Sequence, residues 1–128
     1  MMRYMMMIKA TKDYEAGMPP NPQLMAGMGK LTEEMTKAGV LLASEGLQPS
    51  PKGARIRYSG GKRIVTDGPF AETRELVGGY AILQAKSKEE AIQLGDRVLD
   101  VHVKAGIAEF EMEIRPLFDP ADFGPAKR

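Results

Sequence analysis

The stretch RYMMMIK, residues 3–9, places the first constraint on the fold. Its apolar run from Tyr4 to Ile8 has no polar alternation, so an extended segment here carries apolar side chains on both faces. Such a strand belongs in the middle of a sheet and needs cover on two sides. The run is too short for a membrane span or a secretory leader, which call for about 20 and roughly 7–15 apolar residues respectively. No other segment approaches eighteen apolar residues, and the expected setting is a soluble, cytoplasmic protein with no membrane partner.

A glycine- and proline-rich loop, ATKDYEAGMPPNP, follows this strand. Asn21 is placed to cap a helix that has Pro22 in its first turn and closes at Gly39. Leu24, Met28, Leu31, Met35 and Ala38 recur in alternating steps of four and three and form one apolar stripe. Gly27 and Gly29 weaken this helix by up to ~1 kcal/mol each relative to alanine, a cost that close approach to the sheet would explain. Val40 to Leu47 reads as a second strand. ARIRYS and KRIVT flank Gly60-Gly61 as a hairpin, with Ile56 and Tyr58 on one face and Arg55 and Arg57 on the other. Leu76 to Ala85 gives another strand. Ser87 and Glu90 make a capping box for a second helix, whose stripe is Ala91, Leu94, Val98 and Val101. The last strand, EFEMEIRPL, alternates Phe110, Met112 and Ile114 with Glu111, Glu113 and Arg115.

With the hairpin set aside as an insertion, the order is βαββαβ, an α+β ferredoxin-like arrangement. Residues 1–118 form the domain and 119–128 a C-terminal tail. Two helices cover one face of a four-stranded sheet. A second copy of the chain is the economical cover for the other, giving a homodimer; a folded-over tail is the competing cover.

Several chemistries are excluded or disfavoured by composition. No cysteine is present, so thiolate metal sites and thiol nucleophiles are absent, and the single histidine, His102, rules out a multi-histidine metal site within one chain. Eighteen basic residues stand against seventeen acidic ones, a balance unlike that of a nucleic-acid binder. The basic hairpin residues Lys52, Arg55, Arg57, Lys62 and Arg63 have only Tyr58 among them as an aromatic, which suits a solvated edge. SGGK (59–62) lacks the upstream glycine and following hydroxyl of a phosphate loop. The methionines, five of them in the first seven residues, suit core filling better than soft-metal ligation. No metal and no cofactor is expected.

Three candidate sites remain. TDGPFAETRE (66–75) is turn chemistry from Asp67 to Pro69, with Phe70 as a buried anchor. It is either a solvated turn or a pocket edge where Asp67 and Glu72 act as acceptors or as a general base. Glu72 and Glu75, three apart around Arg74, share a face only if this piece is helical. Glu111, Glu113 and Arg115, with Glu45 and Lys9, either line a polar cavity between subunits or face water at a sheet edge. His102 near a helix C-terminus is stabilised there when protonated, and Asp100, two residues away, does not face it. His102 is a weak candidate for acid/base work.

DGPFAETRE resembles the signature of the YCII-related family, in the branch called the DGPF domain. AGVLLASEGLQPS (38–50) and RYMMMIKA resemble that branch's strand-and-turn segment and first strand. The resemblance spans Arg3 to about Phe118. It implies a ferredoxin-like fold pairing into a dimeric α/β barrel, and a pocket between the sheet and the opposing subunit. Some relatives are lyase-type enzymes using a His-Asp pair, with the histidine in or near the first helix; this chain has none there, so that mechanism is not carried over. Three functions stay open. The first is a homodimer binding a small molecule at Asp67, Phe70 and Glu72, lined by Glu45, Glu111, Glu113 and Arg115, with or without acid/base catalysis. The second is a non-catalytic regulatory or interaction module, suggested by the branch's occurrence with sigma factors. The third, by fold analogy alone, is a cofactor-free oxygenase.

Overall fold

The computed structural model describes residues 1–124 apart from 20, 73 and 74. Its elements in chain order are β1 (Met2–Lys9), α1 (Lys12–Glu15), α2 (Pro22–Lys37), β2 (Leu41–Gly46), β3 (Ala54–Ser59), β4 (Lys62–Asp67), β5 (Val77–Ala85), α3 (Lys88–Lys104) and β6 (Met112–Pro116). A 3₁₀ turn at Ser50–Lys52 precedes β3 and another at Pro120–Phe123 follows β6. β2, β5, β1 and β6 make one sheet in that order, with every pairing antiparallel, while β3 and β4 form a separate two-stranded sheet. The four-stranded sheet with α2 and α3 is the ferredoxin-like α+β arrangement, and the hairpin is an insertion in it.

β1 is central, between β5 and β6, as its two-faced apolar pattern requires. Strand register sorts the side chains into rows across the sheet. Leu41, Leu83 and Tyr4 form one row on the helix side, and Ser44, Ala81, Met6 and Ile114 form the next. Tyr4, Met6, Leu83 and Ala85 are buried there against Leu31 and Met35 of α2 and Ala91, Leu94 and Val98 of α3. Each of the larger side chains contributes about 1.5–3 kcal/mol by leaving water.

The helix boundaries follow their caps. Asn21 Oδ1 accepts from the amides of Gln23 and Leu24 at 2.8 and 3.3 Å, and Gly39 turns the chain out of α2 at φ +76°. Asn21 Nδ2 also donates to Ala105 O at 2.8 Å, which ties the start of α2 to the end of α3. Ser87 Oγ accepts from Glu90 N at 3.2 Å, but the Glu90 carboxylate reaches Lys86 N rather than the Ser87 amide, so only half of the expected capping box forms.

Three further expectations change. The loop after β1 contains a helical turn, α1, because Thr11 Oγ1 accepts from Tyr14 N at 3.1 Å and caps it. Gly27 serves helix–helix contact and not the sheet: a Cβ there would lie 2.8 Å from Val101 Cγ1 of α3. A Cβ at Gly29 would meet nothing within 4 Å. The last strand is shorter than its alternating pattern, starting at Met112, with Phe110 and Glu111 outside it. In the expected tail, Asp119 caps the Pro120–Phe123 turn, and the Phe118 and Phe123 rings pack 5.0 Å apart; residues 125–128 lie outside the described residues.

The two glycine environments give opposite expectations. Gly29→Ala, in open space, raises stability by about 0.5–1 kcal/mol through helix propensity. Gly95→Val lowers it by about 1–3 kcal/mol, since even a Cβ there lies 2.9 Å from Met112 Sδ and 3.1 Å from Ile114 Cδ1. Urea denaturation of both variants measures this.

Candidate functional site

The DGPF segment clamps a turn. A Cβ at Gly68 would lie 1.8 Å from Ser50 O, a backbone atom that cannot step aside, so only glycine fits. Gly68 N donates to Gly53 O at 3.0 Å, and Phe70 N donates to Ser50 Oγ at 3.1 Å. The Ser50 hydroxyl in turn donates to one oxygen of Glu15, at the end of α1, and Ser50 N donates to the other at 2.8 Å. The Phe70 ring is half-buried, with the Arg55 guanidinium 3.9 Å from its centroid. Asp67 ends β4 opposite Ala54 with its side chain exposed, and Glu72 is exposed, its carbonyl accepting from Glu75 N at 2.9 Å. Thr73 and Arg74 of the motif lie outside the described residues.

The charged strand face is gathered by register. Glu45, Tyr80, Met7 and Glu113 make one row across the sheet on the side away from the helices; Ala43, Ile82, Met5 and Arg115 make the next. Lys9 Nζ lies 3.6 Å from Glu113, and Arg115 lies 3.8 Å from the same carboxylate. Glu111 reaches this neighbourhood through its backbone, its carbonyl accepting from Lys9 N at 2.9 Å, while its side chain is exposed. Four of the five expected charged residues therefore do share one face, around half-buried Met5, Met7, Tyr80 and Ile82. Asp67, Phe70 and Glu72 are not gathered with them.

A larger hollow than the one along β6 lies elsewhere. A groove of about 910 Å³ opens between α2 and the helix-side face of the sheet. Met6, Ile8 and Ala81 of the sheet line it, with Leu24, Met28 and Met35 of α2 opposite. Its size and apolar walls are those of a small-molecule site. Tyr14, Asn21, His102 and Phe110 also contribute to the lining, but Asp67, Phe70 and Glu72 do not. A second hollow of about 380 Å³ runs between α3 and β6 and shares Phe110 with the first.

Several polar residues line the groove, and hydrogen bonds to the backbone orient two of its rings. Tyr14 Oη donates to Gly78 O at 2.9 Å, which leaves the phenol oxygen as an acceptor. Burial, and then the adjacent Glu15 carboxylate, push this phenol above its usual value of 10.0. His102 Nδ1 lies 2.8 Å from Val98 O, one turn back on α3, and its ring lies 4.3 Å from the Phe110 ring, tilted by 43°. Among the described residues no group of three or more His, Asp or Glu side chains is placed to hold a metal ion.

Sequence reasoning missed Tyr14, Ser50, Glu15 and the groove itself. Leu24, Met28 and Met35 were visible as a stripe, but a stripe facing a core and one facing a groove have the same spacing. Tyr14 and Glu15 lie in a segment read as loop, and the only signal was the Thr11 cap before them.

Residues 2–116 match the YCII-related domain, and the chain belongs to that family. It is 30% identical over 95 residues to an uncharacterized protein of Rhizobium meliloti (strain 1021), covering 74% of this chain and 73% of the relative. No helix among the described residues is long and apolar enough to cross a membrane.

The turn clamp is testable through stability. Gly68→Ala should cost more than about 2 kcal/mol, because the backbone of one turn must move. Ser50→Ala should cost about 1–3 kcal/mol through loss of its hydroxyl bonds to Glu15 and Phe70. Chemical denaturation of the two variants checks both magnitudes.

Proposed function

We propose that the protein is a cytoplasmic homodimer of the DGPF branch that binds a small, mainly apolar molecule in the groove beneath α2. The observation that carries this reading is the groove itself: about 910 Å³ with a largely apolar lining. The DGPF motif contributes by holding the 50–53 turn against α1, the element that supplies Tyr14. Its carboxylates, Asp67 and Glu72, need touch no ligand for this. Any reaction in the groove relies on acid/base chemistry by its own side chains.

The open sheet face supports the dimer. Met5, Met7, Tyr80 and Ile82 form an apolar centre rimmed by Glu45, Glu113, Arg115 and Lys9, the pattern of a self-complementary interface. Two such faces packed together make a dimeric α/β barrel. The hairpin adds a reason to choose a second copy as the occupant. Ile56, Tyr58 and Val65 share one of its faces and are 69%, 76% and 55% exposed. Arg55, Arg57, Lys62 and Arg63 make it strongly basic, complementary to the glutamates of an opposing sheet. A non-catalytic interaction module is the competing reading, favoured by the same exposed hairpin if a different protein covers it.

Two measurements decide. Light scattering at micromolar concentration should give twice the 14.0 kDa chain mass, and Ile82→Glu should give the single-chain mass. A monomeric parent chain rules out the barrel and leaves the hairpin to another partner. The neutral dye N-phenyl-1-naphthylamine should show saturable fluorescence at one site per chain, weakened at least about tenfold by Met28→Trp, which fills the groove. Dye binding unchanged by that substitution overturns the groove as the site.

A further inference from the structure

The ring of His102 is positioned as a recognition group and not only as a helix terminus. Val98 O can only accept, so the Nδ1 that lies 2.8 Å from it carries the proton in the neutral ring. The lone pair then sits on Nε2, which has no hydrogen-bond partner among the described residues. The Phe110 ring 4.3 Å away holds the imidazole plane, and both rings line the groove. We infer that His102 Nε2 is the hydrogen-bond acceptor for an aromatic alcohol, a phenol or an enolised ring, bound in the groove beneath α2. This rests on the groove being the binding site.

Three observations choose that ligand class. Met6, Met28 and Met35 line the same groove as the paired rings, and methionine sulfur packs favourably and adaptably on aromatic faces. Of the charged residues bordering the groove, Glu45 and Lys9 stand with the opposite face of the sheet, where Lys9 meets Glu113 at 3.6 Å, which leaves Asp13 and Glu109. A carboxylate or phosphate ligand would therefore meet two carboxylates and, among the described residues, no opposing cation, while a neutral ligand carries no such cost. Two oriented rings offer acceptors: Nε2 of His102, and the phenol oxygen of Tyr14, whose proton is committed to Gly78 O. A ligand hydroxyl that donates fits them, and an ether does not.

The test compares 2-naphthol with 2-methoxynaphthalene and 2-naphthoate, each displacing N-phenyl-1-naphthylamine. 2-Naphthol should bind about five- to tenfold more tightly than its methyl ether, and 2-naphthoate most weakly. In His102→Phe, which keeps the ring against Phe110, the naphthol and the ether should bind equally. Because His102 is the only histidine, its two imidazole nitrogens give one unambiguous pair of ¹⁵N resonances. The unliganded neutral ring should show Nδ1 protonated and Nε2 bare, and 2-naphthol but not the ether should shift Nε2. Equal binding of naphthol and ether to the parent protein, or a ring protonated at Nε2 when unliganded, overturns the role of His102 while the groove stands. Failure of the dye and all three naphthalenes to bind overturns the groove and this role together.

Discussion

The pairing of β1 between β5 and β6 is the interaction on which the rest of the structure depends. A strand with apolar side chains on both faces is stable only where both are covered. On one face Tyr4 and Met6 are buried beneath the two helices. On the other, Met5 and Met7 stand in rows with Ile82 and Tyr80. The same two ladders set which side chains from β2 and β6 accompany each set. A slip of one residue in either ladder would exchange the buried row with the charged one, so burial on the helix side enforces the grouping of Glu45, Glu113 and Arg115 opposite it.

The DGPF segment acts at a different level. It orders a loop by steric exclusion and a short hydrogen-bond relay, Glu15 to Ser50 to Phe70, with Gly68 pressed against the Ser50 carbonyl. Its glycine, its aromatic ring and its backbone amide carry that work, and the exposed carboxylates of Asp67 and Glu72 do not. Among the described residues, the charged ones of this segment do not line the groove. The connection to the groove runs through α1: the relay ends on Glu15, and the adjacent Tyr14 lines the groove.

Much of this architecture was legible in the residues. Asn21, Pro22, Gly39 and Ser87 marked the helix ends because capping is local chemistry, decided within a few positions. The central place of β1 followed from its lack of alternation, and the hairpin from Gly60-Gly61. Reading failed where the outcome depends on a distant partner. Gly27 faces Val101 of α3, a contact 74 residues away that no local pattern encodes. Ser50 looked like an ordinary turn residue, since its importance comes from Glu15 and Phe70 on either side in space. The groove was invisible for a related reason: spacing shows which face of α2 is apolar, but not how far that face stands from the sheet.

The distribution of charge ties these parts together. The basic side chains Arg55, Arg57, Lys62 and Arg63 are concentrated on a hairpin that stands outside the core, and among the described residues Lys9 is the only basic one bordering the groove. Lys9 in turn leans on Glu113, on the open face. Had the protein been shaped to hold anions, the economical arrangement would place arginine or lysine where the apolar walls lower the local dielectric and strengthen the attraction. Instead those walls are mainly methionine, aliphatic and aromatic side chains, with hydroxyl, amide and carboxylate residues among them. Under the proposed function such a surround would select a neutral donor-bearing molecule by shape and one or two hydrogen bonds, and would leave the cationic hairpin to an acidic face of the second copy.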